Sequence, residues 1–449
     1  MFVSKETDVS RTNSFSGRIS IFDAVAIVAG MVIGPGIFKT PSIVAASSSD
    51  EIVTLSLWAA GGLISLIGAL CYAELTSTYP HAGGEYHYLV RAFGKKIAFL
   101  FAWARMTVIQ TGSIAMLSFV VGDYAMRALN LGPNSSSIYA ALTVFILTAI
   151  NLKGINPSSK VQKVLMIGML LGLLFVVIVG LTVSSEPLQA EKANTTMAFG
   201  QAMIFVLLTY GGWNEAAYLS ADVSRNRSDI VKVLFYSLAL ITFVYLLTNF
   251  SLIKGLGFSS LVTSNEVAAD LVRKVLGEEW KIFISALIAI AALSTVNAVM
   301  ITGARTNYAL GNDFDRFGFL SRWTSTDNSP VHAFIFQSGI ALILIALGSV
   351  TRSGFVTMVE YTAPVFWFFF LMVGISLIVL RRKDPQRQRP FTVPFYPLTP
   401  VLFCLSALFM LYSSTVYTGI GAMVGITVLL AGIPFIIFKD VNKKGDGTI

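Results

Sequence analysis

GMVIGPGIF, residues Gly30 to Phe38, and YGGWN, residues Tyr210 to Asn214, are the two stretches whose reading decides the fold. Each sets helix breakers in the middle of an apolar run. Proline removes a backbone donor and clashes with the preceding turn, and glycine loses the most conformational freedom on entering a helix. The helix is therefore expected to stop at Gly34-Pro35-Gly36 in one run and at Gly211-Gly212 in the other. Either break alone reads as a packing notch or a kink, which membrane helices use freely. Breaks at matching positions of two five-helix halves point instead to an inverted-repeat transporter with its site at the interruptions.

The surrounding sequence is that of a membrane protein. Of 449 residues, 55% are hydrophobic and 12% charged, with a mean hydropathy of +0.73, whereas soluble domains carry about a quarter charged residues. Apolar segments run from Ile19 to Ala45, Leu55 to Leu75, Ile97 to Tyr124, Ile138 to Leu152, Leu165 to Val183 and Ala198 to Leu219. Six more run from Val233 to Leu252, Trp280 to Thr302, Val331 to Ser349, Met358 to Leu380, Val401 to Tyr417 and Gly421 to Phe438. Each reads as a helix that crosses the bilayer while satisfying its own backbone hydrogen bonds. The expected fold is an all-α membrane protein of about twelve transmembrane helices.

The five-plus-five pattern divides the chain into a tail at 1–18, a first repeat at 19–183, an inverted second repeat at 198–380, two additional helices at 401–438 and a tail at 439–449. Lys and Arg, counted over alternate connections, favour one side by roughly three to one, which places both termini in the cytoplasm of a multi-pass plasma (inner) membrane protein. The net charge of +8 comes from basic residues scattered between apolar runs, so the expected partner is the lipid bilayer and not nucleic acid. Cys71 and Cys404 fall inside spans, and His81, His87 and His332 lack metal-site spacing, so no metal centre is expected. No nucleophile-base constellation stands out, which argues against an enzyme.

A helix that stops inside the membrane presents amides at one end and carbonyls at the other, each end carrying about half a charge. A zwitterion fits that arrangement. In the first span the break is expected to expose carbonyls near Val32 and Ile33, beside Gly34, and amides near Gly36, Ile37 and Phe38. In the sixth it is expected to expose carbonyls near Leu208, Thr209 and Gly211. An amino group would meet the carbonyls and a carboxylate the amides, with no charged side chain at the membrane centre.

With these features in hand, the chain resembles the amino acid-polyamine-organocation superfamily, and within it the L-type amino acid transporter branch. The likeness rests on five motifs in order: GMVIGPGIF; YAELTSTYPHAGGEYHYLVRAFG (Tyr72 to Gly94); YGGWN with Asp222 after it; TGARTNYALGND (Thr302 to Asp313); and RRKDPQRQRPFTVPFYP (Arg381 to Pro397). The resemblance implies a LeuT-like five-plus-five inverted repeat with two C-terminal helices, secondary active transport by alternating access, and an amino acid or close analogue as substrate. It carries amine binding to the backbones of Val32, Leu208 and Gly211, and carboxylate binding to those of Gly36 and Ile37. It leaves side-chain selectivity to candidates on the third, eighth and tenth spans: Gln110, Ser113, Asn297 and Tyr361.

Four departures from the family pattern matter. Pro35 stands where relatives carry a small residue and has no N–H to offer a carboxylate. Leu208 replaces an aromatic gate. Met169, counted seven residues on from Gln162, replaces a lysine that fills a sodium position in sodium-independent relatives. Ser294 and Thr295 then become candidate sodium ligands, against the alternative that they pack and bond to their own helix. The connection from Ala125 to Ser137 lacks the cysteine that joins L-type relatives to a heavy chain, so no disulfide-linked partner is expected.

Arg105 and Glu215 are ionisable groups inside spans, which are costly without a partner. Glu215, with Asn214 beside it, reads as a gating or proton-coupling residue and Arg105 as a gate or counter-ion. The alternatives are an internal structural pair, or an arginine that snorkels to the cytoplasmic surface. Glu74 and Glu85 flank the connection near Arg91 and read as a latch or as solvated loop charges. Beyond Na+ or H+ coupling no cofactor is expected. The alternative within transport is a polyamine or organic-cation carrier, which Pro35 and Glu215 would suit, and a non-transporting membrane sensor would keep the same fold.

Overall fold

The computed structural model describes residues 21–81, 83–127, 129–153, 155–183, 199–219, 229–322, 330–350, 354–416 and 419–437. Both expected tails, 1–18 and 439–449, and Asp222 lie outside them, as does the side chain of Gln162.

Among the described residues the regular structure is helical throughout. The first span is two helices, α1 (Ile21–Val32) and α2 (Gly36–Ala46), bent by 51° at the break. Asp50 caps α3 (Glu51–Thr78) by accepting the Val53 amide at 2.8 Å, which satisfies one of the orphan donors of the first turn. A short helix, α4 (Gly84–Phe93), then leads through Gly94, at φ 88°, into α5 (Lys95–Ala104). A π-helical turn (Arg105–Ile109) joins α5 to α6 (Gln110–Ala125), completing the third span. Next come α7 (Ser135–Leu152) and α8 (Ile155–Thr182).

The sixth apolar segment begins as α9 (Phe199–Thr209), breaks at Tyr210 to Gly212, and resumes as a 3₁₀ turn (Trp213–Glu215) and α10 (Ala216–Leu219). After α11 (Asp229–Leu256) come two short helices, α12 (Phe258–Thr263) and α13 (Val267–Leu276), then the long α14 (Trp280–Asp313) and a 3₁₀ segment (Asp315–Ser321). The chain closes with α15 (Val331–Ser349), α16 (Gly354–Lys383), α17 (Leu398–Val416), α18 (Ile420–Leu430) and α19 (Ile433–Ile437).

Nine of the described helical stretches are long and apolar enough to cross a membrane, or ten with the bent first span. The sixth and the last apolar segments appear as shorter helices, Phe199–Thr209 and Ile420–Phe435. By hydropathy alone α4, α12 and α13 read as connections, because their apolar residues recur at helical spacing without forming a continuous run. In α13, Val267, Ala268, Leu271 and Val272 are buried while Arg273 and Lys274 face outward.

The third span is the most deeply enclosed, packed against α14, α7, α16 and α15. Around it, α11 lies beside α1, α3 and α8, and α2 lies beside α9. Large apolar side chains such as Phe145 on α7, Leu171 and Leu174 on α8, and Leu405 on α17 are exposed. That pattern suits a surface whose solvent is lipid.

Candidate substrate site at two broken helices

The two interruptions touch. A β-carbon on Gly212, at φ 111°, would lie 2.9 Å from the Met31 carbonyl oxygen, and one on Gly36 would lie 3.3 Å from the Thr209 side chain. Glycine is thus required at 212 twice over, by its left-handed backbone and by the main chain crossing beside it. The Thr40 and Thr209 hydroxyls share a hydrogen bond of 2.9 Å between α2 and α9.

The flanking residues of YGGWN hold the turn in place. Tyr210 is fully buried and donates to the Trp58 carbonyl at 3.0 Å. Trp213 packs edge-on against Tyr72, ring centroids 5.0 Å apart, and Asn214 donates to Glu85 at 3.2 Å. Two anchors bracket two glycines, so the chain between them has no freedom to regain helix.

The backbone groups expected at the breaks are present, with partners the sequence did not reveal. The Tyr245 hydroxyl, from α11, lies 2.9 Å from the carbonyl oxygens of both Val32 and Thr209 and accepts from the Gly34 amide. It has one proton to give, so it serves the two carbonyls alternately. The Leu208 carbonyl accepts the Gly211 amide at 3.0 Å, and Ile33 donates to Ala29 at 2.7 Å. The Phe38 amide is taken by the Pro35 carbonyl at 3.0 Å. Gly36 and Ile37 remain as the first-turn amides of α2, which lie ahead of its hydrogen-bond ladder.

Three of the four selectivity candidates hold spans together. Gln110 donates to the Val299 carbonyl and to Thr302, each at 2.9 Å. Tyr361 donates to the Thr107 carbonyl, in the π-helical turn, at 2.8 Å. Ser113 bonds its own helix at Ile109, and Asn297 accepts from Asn151 on α7 at 2.8 Å. Of the candidate sodium ligands, Ser294 is buried, while Thr295 packs against Gly34 and donates to Ala291 on its own helix at 3.3 Å. Met169, at the position of the missing lysine, is buried, and a thioether is a poor ligand for a hard cation.

The charged residues are paired rather than solvated. Arg105 is buried and does not snorkel; it reaches both oxygens of Glu215, at 2.7 and 2.8 Å, and lies 3.5 Å from Glu85. Glu85, expected as a latch near Arg91 or a solvated charge, is buried there and accepts the Tyr72 hydroxyl at 2.5 Å. Glu74 is buried too, held by Arg381 at 2.7 Å, the Val393 amide at 2.7 Å and Arg389 at 3.4 Å. Arg91 instead lies 3.8 Å from Asp384. On the opposite side of the break, Lys39 on α2 pairs with Asp123 on α6 at 3.0 Å.

Long apolar helices around a pair of touching breaks define an integral, multi-pass helical membrane protein. A profile of the amino acid permease family matches residues 19–438, and the chain belongs to that family. It is a membrane transporter, not an enzyme. It is 28% identical over 434 residues to the large neutral amino acids transporter small subunit 2 of Mus musculus, covering 93% of this chain and 80% of that protein. It is 26% identical over 438 residues to the serine/threonine exchanger of Bacillus subtilis, covering 96% and 98%. The b(0,+)-type amino acid transporter 1 of Mus musculus is also 26% identical, over 417 residues, covering 89% and 83%.

Proposed function

We propose that this chain is a secondary active transporter of amino acids that works by alternating access, with its substrate site where the first and sixth spans break. The observation that carries the reading is the direct approach of the two breaks, Gly212 against Met31 and Gly36 against Thr209. The substrate amine would take second lone pairs on the carbonyls of Val32, Thr209 and Gly211, and its carboxylate the amides of Gly36 and Ile37. Pro35 leaves only those two amides, so carboxylate binding leans on the helix terminus of α2. Relatives named for large neutral amino acids and for serine and threonine support a neutral α-amino acid.

The architecture proposed is twelve spans, repeats at 19–183 and 198–380, two added helices at 401–438, and both termini cytoplasmic in the plasma membrane. A polyamine carrier is disfavoured, because Glu215, the carboxylate that would attract a second amine, is already matched by Arg105.

Uptake of L-leucine and L-threonine into proteoliposomes tests the reading. Unlabelled neutral amino acids should compete, and isoamylamine, which is leucine without its carboxylate, should not. Equal competition by isoamylamine removes the amide role, and competition by putrescine alone transfers the site to organic cations.

A further inference from the structure

The breaks do not use a buried cluster of three charged side chains close to the second of them. Glu85 on α4 and Glu215 on the 3₁₀ turn after the sixth-span break converge on one guanidinium, that of Arg105 in the π-helical turn of the third span. The sharing is unequal. Glu215 takes two short charge-assisted bonds, and Glu85 stands at 3.5 Å with its other oxygen receiving Tyr72 and Asn214. The side chains of Arg105 and Glu85 are 5% and 3% exposed and that of Glu215 is 22% exposed, so Glu215 is the most accessible member of the cluster.

The groups that face Glu85 among the described residues are Arg105 of the third span, Glu215 and Asn214 of the sixth, and Tyr72 of α3. On α4 itself, His87 turns to stack on His81 and Arg91 to Asp384. Two like charges on one buried cation disfavour full ionisation, and the member with the weaker cation contact and the deeper burial is the one to take a proton. Burial pushes the Glu85 carboxyl above its usual range, outweighing the guanidinium beside it.

We propose that Glu85, Arg105 and Glu215 form a binding site for one proton. Glu85 takes the proton from water as the carboxylic acid when the inner part of the sixth span is docked as seen here. When Glu215 withdraws, Arg105 is free to pair with Glu85, which ionises and returns the same proton to water. Because Glu215 follows the break directly, protonation is linked to the movement that opens the site. This deepens the transport reading and rests on it for the coupling, while proton binding itself is a property of the resting protein.

pH-difference infrared spectroscopy of the purified, ligand-free protein tests the site. Wild type should show a protonated-carboxyl stretching band persisting above the ordinary carboxylate range, distinct from any band that Glu360→Gln removes. Glu85→Gln should lose it because the acid is gone, and Glu215→Gln should lose it because Arg105 then ionises Glu85. Loss in Glu85→Gln with survival in Glu215→Gln means burial alone holds the proton, and overturns the shared site. Survival in both variants overturns it as well, whatever the uptake assays give. In proteoliposomes holding a pH-sensitive dye, leucine entry should move protons in wild type and at least about tenfold less in Glu85→Gln. Leucine entry without proton movement in wild type overturns the coupling.

Discussion

Single residues inside this protein are decided by what pairs with them. Glu74 is the clearest case, a carboxylate 1% exposed whose two oxygens are spoken for by Arg381, Arg389 and the Val393 amide. Removing one partner of such a group strands the others, which costs about 3–5 kcal/mol for a buried pair. Glu74→Ala should therefore unfold at markedly lower temperature in detergent than wild type. Glu74→Gln, which keeps the shape and some of the bonds, should fall between them. Glu85 makes stability depend on pH. Its carboxyl titrates higher in the folded protein than in the unfolded chain, so the native state binds the extra proton between those two values. Stability should decline as pH rises through that window, and Glu85→Gln should remove the decline, as read from melting temperatures across a pH series.

At the scale of elements, the broken spans are built by tertiary clamps as much as by breakers. Tyr210 and Trp213 pin the chain on either side of Gly211-Gly212, and Tyr245 reaches the carbonyls on both sides of the contact between spans. Gly212→Ala should cost about 1–3 kcal/mol from its left-handed backbone alone. The 2.9 Å approach to Met31 adds a clash that no side-chain rotation relieves, so leucine uptake should be lost even where the variant still purifies as a folded monodisperse protein. Uptake at wild-type rates would show that the two breaks do not need to touch. The π-helical turn at Arg105 works in the same way. Its extra residue turns the Thr107 carbonyl toward Tyr361 and sets the guanidinium between two glutamates.

For the whole molecule, the proposed site stabilises the fold when filled. A neutral amino acid at about 100 times its Kd should add about 2.7 kcal/mol, visible as a raised melting temperature that isoamylamine does not reproduce. The same panel run with sodium replaced by choline would show no change if Ser294 and Thr295 pack and bond to their own helix. Much of this was legible in advance. Composition and run length are enough to place a chain in lipid, because the bilayer admits only segments that satisfy their own backbone. The breaks were legible at Gly34-Pro35-Gly36 and Gly211-Gly212 because proline and glycine act on the local backbone, whatever surrounds them.

Partners were another matter. Glu74 and Glu85 flank a stretch that reads as a connection, yet Arg381 lies 307 positions from Glu74. Tyr245 sits in an apolar span, where a lone hydroxyl signals only that some acceptor must exist. Gln110, Asn297 and Tyr361 were reasonable site candidates as polar groups within spans, and the structure spends their hydrogen bonds on neighbouring helices. By itself the sequence determined the solvent, most of the long apolar helices and the two places where helix fails, since each depends on chemistry local to the chain. Only the tertiary structure decided that the two failures meet, that Arg105 is shared by two carboxylates and that Tyr245 bridges the contact. Those facts depend on distances between residues far apart in the chain, and folding alone sets such distances.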